Sequence, residues 1–261
     1  ECDERKGTKN INSKIDFANK SVDINIFVSE WLKDIYKNFN LSKKPNVVIK
    51  GGPSKEIFNM YNKQFWNKDE KIKLVTHHWS SNKMKGFDIY KQIDKLINSS
   101  NLDQKIEFTY IGNLPSETDL NNSTVIKPIH GEDLAAELKK HHVYVTASLN
   151  EPSGNHHMEG ALCGLPVMYI NSGALPEYCS KYGVSFDIGT FNASLNNIAN
   201  NYSLYFDSLK EYPYTAEHAV KQFDAVFKNS LKELEEIKLS RSIDSKKTVL
   251  LNYVVNKVRI F

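Results

Sequence analysis

The sequence predicts an α/β fold: a doubly wound parallel sheet with helices on its faces. Three observations predict it. From residue 72 to about 186, short β-branched apolar runs alternate with segments of helical period, the pattern of successive βαβ units. Gly112, Pro128, Gly164 and Pro166 punctuate those segments at their ends, where turns belong. The stretch 143–170 spells out one complete unit: a buried-type strand Val143-Tyr-Val-Thr-Ala147, a loop, a short helix and a second strand Val167-Met-Tyr-Ile170. A right-handed crossover makes two such strands parallel.

Taken in order, residues 1–20 are polar and charged and carry no firm structural signal. Val22–Val28 alternates into an apolar run and predicts a strand. Ser29 is placed to cap a helix to about Asn38, with Trp31, Leu32, Ile35 and Phe39 on one face. Val47–Ile49 is a further short strand, and the polar stretch 53–70 after Gly51-Gly-Pro53 is a candidate linker. The main domain, 71–232, opens with the strand 72–76. A helix from about Gly86 buries Phe87, Tyr90, Ile93, Leu96 and Ile97. Strands follow at 106–111 and 124–126, then a helix at 132–141. After the unit at 143–170 come a short helix at 174–181 and a strand at 184–186. Val220, Phe223, Phe227, Leu231 and Leu234 form an apolar stripe on a helix over 214–237 and are expected in the core. The tail 233–261 reads as helical at first, while 249–261 fits helix or strand equally. There is no internal repeat and no low-complexity tract.

Whole-chain properties bound the function. The 261 residues suffice for one large domain or two small ones. A net charge of +3 is too small to indicate a nucleic-acid partner. No apolar run approaches the ~18 residues of a membrane span, and there is no signal peptide pattern, which leaves peripheral membrane contact open. Three cysteines without metal-type spacing point to a reduced, cytoplasmic setting. A first residue that is Glu rather than Met suggests that an amino-terminal part is missing.

The chemistry concentrates in Ser148–Val167. Glu151 lies in the loop after the strand, and Glu159 about one turn into the helix that Asn155 is placed to cap. In an open parallel sheet, ligands bind beyond the carboxyl ends of the strands. Free N–H groups at a helix start favour phosphate, and a carboxylate accepts hydrogen bonds from a vicinal diol. The alternative at this level is a capped helix bearing two solvated glutamates.

With its flanking elements, this stretch resembles the retaining glycosyltransferases of family 4, which have the two-domain GT-B architecture of Rossmann-like halves. Glu151 and Glu159 match that family's E-x7-E motif, and Gly164, Pro166 and Val167 its Gly-x-Pro-Val strand. Lys85-Gly86 is similar to its phosphate-binding Lys-Gly, and Phe27-Val-Ser29 to the end of its amino-terminal domain. The resemblance covers about residues 22–230 and makes residues 1–52 a remnant of the acceptor domain. It implies transfer of a sugar from a nucleotide-diphosphate sugar with retention of configuration, as in polysaccharide biosynthesis, with no further cofactor. Lys85 would neutralise the diphosphate and Glu151 would contact the sugar, helped by Ser153, Gly154 and Asn155. Glu159 would hold the ribose, and Gly112, Pro128 and Ile129 fall where the family binds the base. The acceptor, whether saccharide, lipid or protein, is not identified.

The sequence departs from the family in two places. An Arg usual about five residues before the Lys is absent, leaving His78, Trp79, Ser80 and Lys83 as substitutes; Lys50-Gly51 replaces the usual Asn-Gly. Most of an acceptor domain has no counterpart, so the chain by itself is expected to bind a donor yet fail to transfer it. The rival reading is a non-catalytic nucleotide-sugar-binding or partner-binding module. The histidine pairs 77–78, 141–142 and 156–157 lack metallohydrolase spacing, and no metal is expected. His157 is a candidate sugar contact. A dinucleotide oxidoreductase is disfavoured because no Gly-x-Gly-x-x-Gly follows the first strand.

Overall fold

The computed structural model describes residues 2–99 and 102–241. They form two compact units: residues up to 50 with those from 218 onward, and residues 51–217.

The first unit contains the helices α1 (Asp3–Lys6) and α2 (Ile11–Ala18), the strand β1 (Asn25–Phe27), the helix α3 (Glu30–Ile35) and the strand β2 (Asn46–Val48). The two strands pair in parallel, and Ser29 caps α3 by accepting from the Leu32 amide at 3.2 Å. Cys2, Phe27, Leu32, Tyr36 and Leu41 make the buried core. Helices α1 and α2 were not legible in the sequence, because their stability is tertiary. The Asp3 carboxylate accepts from the amides of Ile11 and Asn12 at 2.8 and 3.1 Å, and the Tyr36 hydroxyl donates to Asn12 at 3.1 Å.

The second unit holds a six-stranded sheet: β3 (Ile72–His78), β4 (Ile106–Gly112), β5 (Thr124–Ile126), β6 (Val143–Thr146), β7 (Val167–Tyr169) and β8 (Gly183–Ser185). Its order is β5-β4-β3-β6-β7-β8, and every pairing is parallel. The helices between and after the strands are α4 (Phe87–Leu96), α5 (Gly131–Leu138), α6 (Asn155–Leu162), α7 (Leu175–Cys179), α8 (Phe191–Asn200) and α9 (Tyr202–Ser208). Chain progression reverses direction between β3 and β6, which is the topological switch point where open α/β sheets bind ligands. The doubly wound fold expected from the alternation is therefore present. Strand β3 continues two residues past the expected 72–76, because His77 and His78 still pair by backbone with Ile111 and Gly112. Backbone pairing does not require apolar side chains.

The stretch 53–70, expected as a linker, packs into this second unit: Phe58 and Trp66 are buried, with Trp66 edge-on to Tyr202 at 5.4 Å. Helices α10 (Ala216–Lys232) and α11 (Leu234–Ser240) follow. Here the structure corrects an expectation. Among the described residues, Val220, Phe227 and Leu231 are 60% or more exposed and Phe223 is 36% exposed, so the stripe is not core. Periodicity identifies an apolar face but not whether anything covers it. The segment 249–261 lies outside the described residues. Among the described residues, no helix is long and apolar enough to cross a membrane.

Candidate functional site

A cleft of about 610 Å³ opens at the carboxyl ends of β3, β4 and β6. Of the fourteen residues named as site candidates, twelve line it: His78, Trp79, Ser80, Lys85, Gly112, Pro128, Ile129, Glu151, Ser153, Gly154, Asn155 and Glu159. Lys83 and His157 do not. A larger cavity, about 760 Å³, lies beside Lys73 and His142 at the opposite, amino ends of β3 and β6, and none of the expected residues lines it. Chemistry rather than size therefore identifies the site.

Lys85 ends a 3-10 turn, Lys83–Lys85, which Asn82 caps by accepting from the Met84 amide at 2.9 Å. Gly86 follows with φ +85°, and a Cβ there would lie 2.0 Å from the Ala147 carbonyl oxygen. Only glycine fits both the backbone angle and the close approach. That approach docks the turn against the end of β6, where the Leu149 amide donates to the Met84 carbonyl at 2.8 Å. As a result the Lys85 Nζ reaches Glu151 Oε2 at 3.1 Å, and the Ser148 hydroxyl donates to the same oxygen at 2.8 Å. Glu151 is 5% exposed. Its loop is anchored from behind by the Ala174 amide on the Glu151 carbonyl, 2.8 Å, and by the Asn150 amide on Ser172 Oγ, 2.8 Å.

Helix α6 starts with Gly154, not Asn155, as its N-cap, and no side chain caps it. Asn155 is instead the first helical residue, so the cleft is lined by a helix start without a side-chain oxygen over its amides. At its other end, Gly164 adopts the left-handed conformation expected after the last turn.

The lining also includes residues that the sequence did not single out for the site, among them His77 and His156. His77 Nε2 lies 2.6 Å from Glu159 Oε2. His78, on the opposite face of β3, places Nε2 2.8 Å from the Tyr90 hydroxyl, which in turn accepts from the Ala147 amide at 3.0 Å. His156 Nε2 is 2.9 Å from Thr146 Oγ1, and its ring lies 4.7 Å from that of His78. Burial, reinforced by the neighbouring His78 and Lys85, holds the His156 imidazole well below its ordinary pKa. It is therefore neutral beside Lys85. The alternation of β3 could have indicated His77, since adjacent strand residues face opposite ways. Among the described residues, no group of three or more His, Cys, Asp or Glu side chains is disposed to hold a metal ion.

The Gly154 site makes a prediction. A Cβ there would fall 2.5 Å from His156 Cε1 and 3.1 Å from Glu151 Cδ, and the His156 ring is confined by Thr146 and His78. Gly154→Ala is expected to cost about 1–3 kcal/mol through overpacking and to displace Glu151. Thermal melts together with ligand titration check this, and a variant with both quantities unchanged would refute it.

No protein-family model and no curated protein matches the chain in sequence. Solved structures do match in fold. The sucrose-phosphate synthase of Thermosynechococcus elongatus gives a TM-score of 0.66 over 88% of this chain and 64% of that one, at 16% identity. The pneumococcal O-GlcNAc transferase GtfA, solved with UDP and GlcNAc, gives 0.63 over 83% of this chain and 47% of that one, at 14% identity. Anabaena HepE, solved with UDP and glucose, gives 0.64 over 84% of this chain and 67% of that one, at 14% identity. At these identities the likeness is one of fold. The chain has the fold of the GT-B glycosyltransferases and spans between 47% and 67% of the length of these three structures.

Proposed function

We propose, from a chain with a glycosyltransferase fold, that the cleft binds a nucleotide-diphosphate sugar and that the protein transfers its glycosyl group with retention of configuration. The supporting observation is the convergence of Lys85, Glu151 and Glu159 on one cleft at the switch point of the sheet. The three come from separate elements, and each supplies what one part of such a donor needs. The Lys85 ammonium and the start of α6 suit a diphosphate. Glu159 suits the ribose diol and Glu151 the sugar hydroxyls. The walls formed by Gly112, Pro128 and Ile129 suit the face of a base.

In the front-face route, the bond from the anomeric carbon to the phosphate oxygen breaks while the acceptor oxygen bonds on the same face. The departing phosphate accepts the hydroxyl proton, so no carboxylate of the protein forms a bond to sugar. The side chains then contribute positioning and charge stabilisation, with Lys85 offsetting the negative charge that accumulates on the leaving diphosphate.

Thermal shift and calorimetry with UDP, GDP and ADP test the reading. A nucleotide at a hundred times its dissociation constant should add about 2.7 kcal/mol of stability. Glu159→Ala should weaken that nucleotide about tenfold, as expected for losing a hydrogen bond to a charged group. No shift with any of the three would sink the proposal. Binding without turnover of the corresponding nucleotide sugars would leave the chain a nucleotide-sugar-binding module.

A further inference from the structure

We propose that His77 is a positioning residue for Glu159, held in one tautomer by Tyr144, and that this relay sets the cleft's preference for a ribose. The inference rests on the functional reading above, in which Glu159 receives the ribose hydroxyls.

The relay follows from hydrogen-bond accounting. The Tyr144 hydroxyl oxygen accepts from the backbone amide of His77 at 3.1 Å. Its own proton then has two acceptors within reach, His77 Nδ1 at 3.1 Å and the His77 carbonyl at 3.4 Å. The nearer one is the ring nitrogen. An Nδ1 that accepts places the imidazole proton on Nε2, and Nε2 is 2.6 Å from Glu159 Oε2. One carboxylate oxygen is thereby engaged from the floor of the cleft, and rotation of the side chain is restrained. Burial keeps the Tyr144 phenol protonated, pushing its ionisation well above the ordinary value, so the hydroxyl remains a donor.

Packing shows that the arrangement is built in. Tyr144 is fully buried under α6. A Cβ at Gly160 would lie 2.3 and 2.5 Å from two atoms of the Tyr144 ring. The residue after Glu159 is thus a glycine because the helix must settle on the tyrosine that orients the histidine. The side chains of His77 and Glu159 are 10% and 16% exposed, sheltered yet on the cleft wall. Neither a capped surface helix nor a purely structural histidine requires a carboxylate to be held this way in a cleft that Lys85 also lines.

The test is calorimetry on the full chain with three probes: the best-binding of UDP, GDP and ADP, its 2′,3′-dideoxy analogue, and inorganic pyrophosphate. The parent should prefer the ribonucleotide over the dideoxy analogue. In His77→Ala that preference should fall about tenfold, the effect of losing a charge-assisted hydrogen bond, while pyrophosphate affinity is unchanged. His77→Gln, which retains an N–H donor, should recover most of the preference. Tyr144→Phe should lose part of it with Glu159 intact. A merely structural histidine would change all three probes together. A parent that binds no nucleoside diphosphate overturns the functional reading and this proposal together. A parent that prefers ribose and keeps that preference in both His77→Ala and Tyr144→Phe overturns the role of His77 alone.

Discussion

Replacing Lys85 with alanine is expected to destabilise the second unit by about 3 kcal/mol, the cost of breaking a buried ion pair from one side. The Lys85 and Glu151 side chains are 17% and 7% exposed, with Nζ and Oε2 3.1 Å apart. Alanine takes the cation away but leaves the carboxylate in the same sheltered loop, which the Ala174 and Asn150 amides hold in place. The variant should also lose nucleoside diphosphate binding, for a different reason: nothing else in the Lys83–Lys85 turn lines the cleft with a positive charge. The double variant Lys85→Met with Glu151→Gln separates the two effects. Removing both charges should return stability to within about 1 kcal/mol of the parent, since a neutral pair carries no unpaired buried charge, while binding stays lost. Chemical denaturation with parallel calorimetry checks this. Parental stability in Lys85→Ala would show that the ion pair contributes nothing to the fold.

Acid should weaken the same unit, with buried histidines as the cause. Burial lowers the His142 pKa to about 3, helped by Lys63 and Lys73, and burial lowers that of His157 to about 3. Both therefore remain neutral in the folded chain while their unfolded counterparts take up protons near pH 6.5. Between those values the unfolded state binds more protons, so stability rises with pH. It is complete above the unfolded pKa and is lost progressively as pH falls toward 3. From pH 7.5 to 5.5, each of these two histidines should cost about 1.4 kcal/mol, together about 3 kcal/mol. His141 and His156 are shifted the same way, chiefly by burial, and add to the loss. Denaturation at the two pH values measures it. His157→Met should remove about 1.4 kcal/mol of the difference, and an unchanged difference would mean that His157 is protonated in the folded protein.

The correspondence between sequence and structure follows which interactions are local. The strand, loop and helix around Glu151 and Glu159 were legible because short apolar runs, Gly164 and Pro166 act within a few residues of themselves. The Lys85-Gly86 turn was legible as a motif, but its reason was not: the carbonyl that forbids a Cβ at Gly86 belongs to Ala147, on another strand. The His77–Glu159 contact spans 82 residues and the Tyr144–His77 contact 67. Such pairs arise only once β6 lies beside β3, and no periodicity encodes that strand order. The apolar stripe of α10 shows the converse case, a clear pattern whose exposure no pattern can state.

The linear order of residues sufficed for the doubly wound class, the positions of the two glutamates and the lysine, and the limits set by charge and hydropathy. Each of these depends on the identity of residues close along the chain. The assembled sheet was needed to bring residues at the ends of β3, β4 and β6 and in the loop after β5 into one cleft, to pair Lys85 with Glu151 and to set His77 against Glu159. Those outcomes depend on which strands become neighbours, and that is set by the packing of the whole sheet.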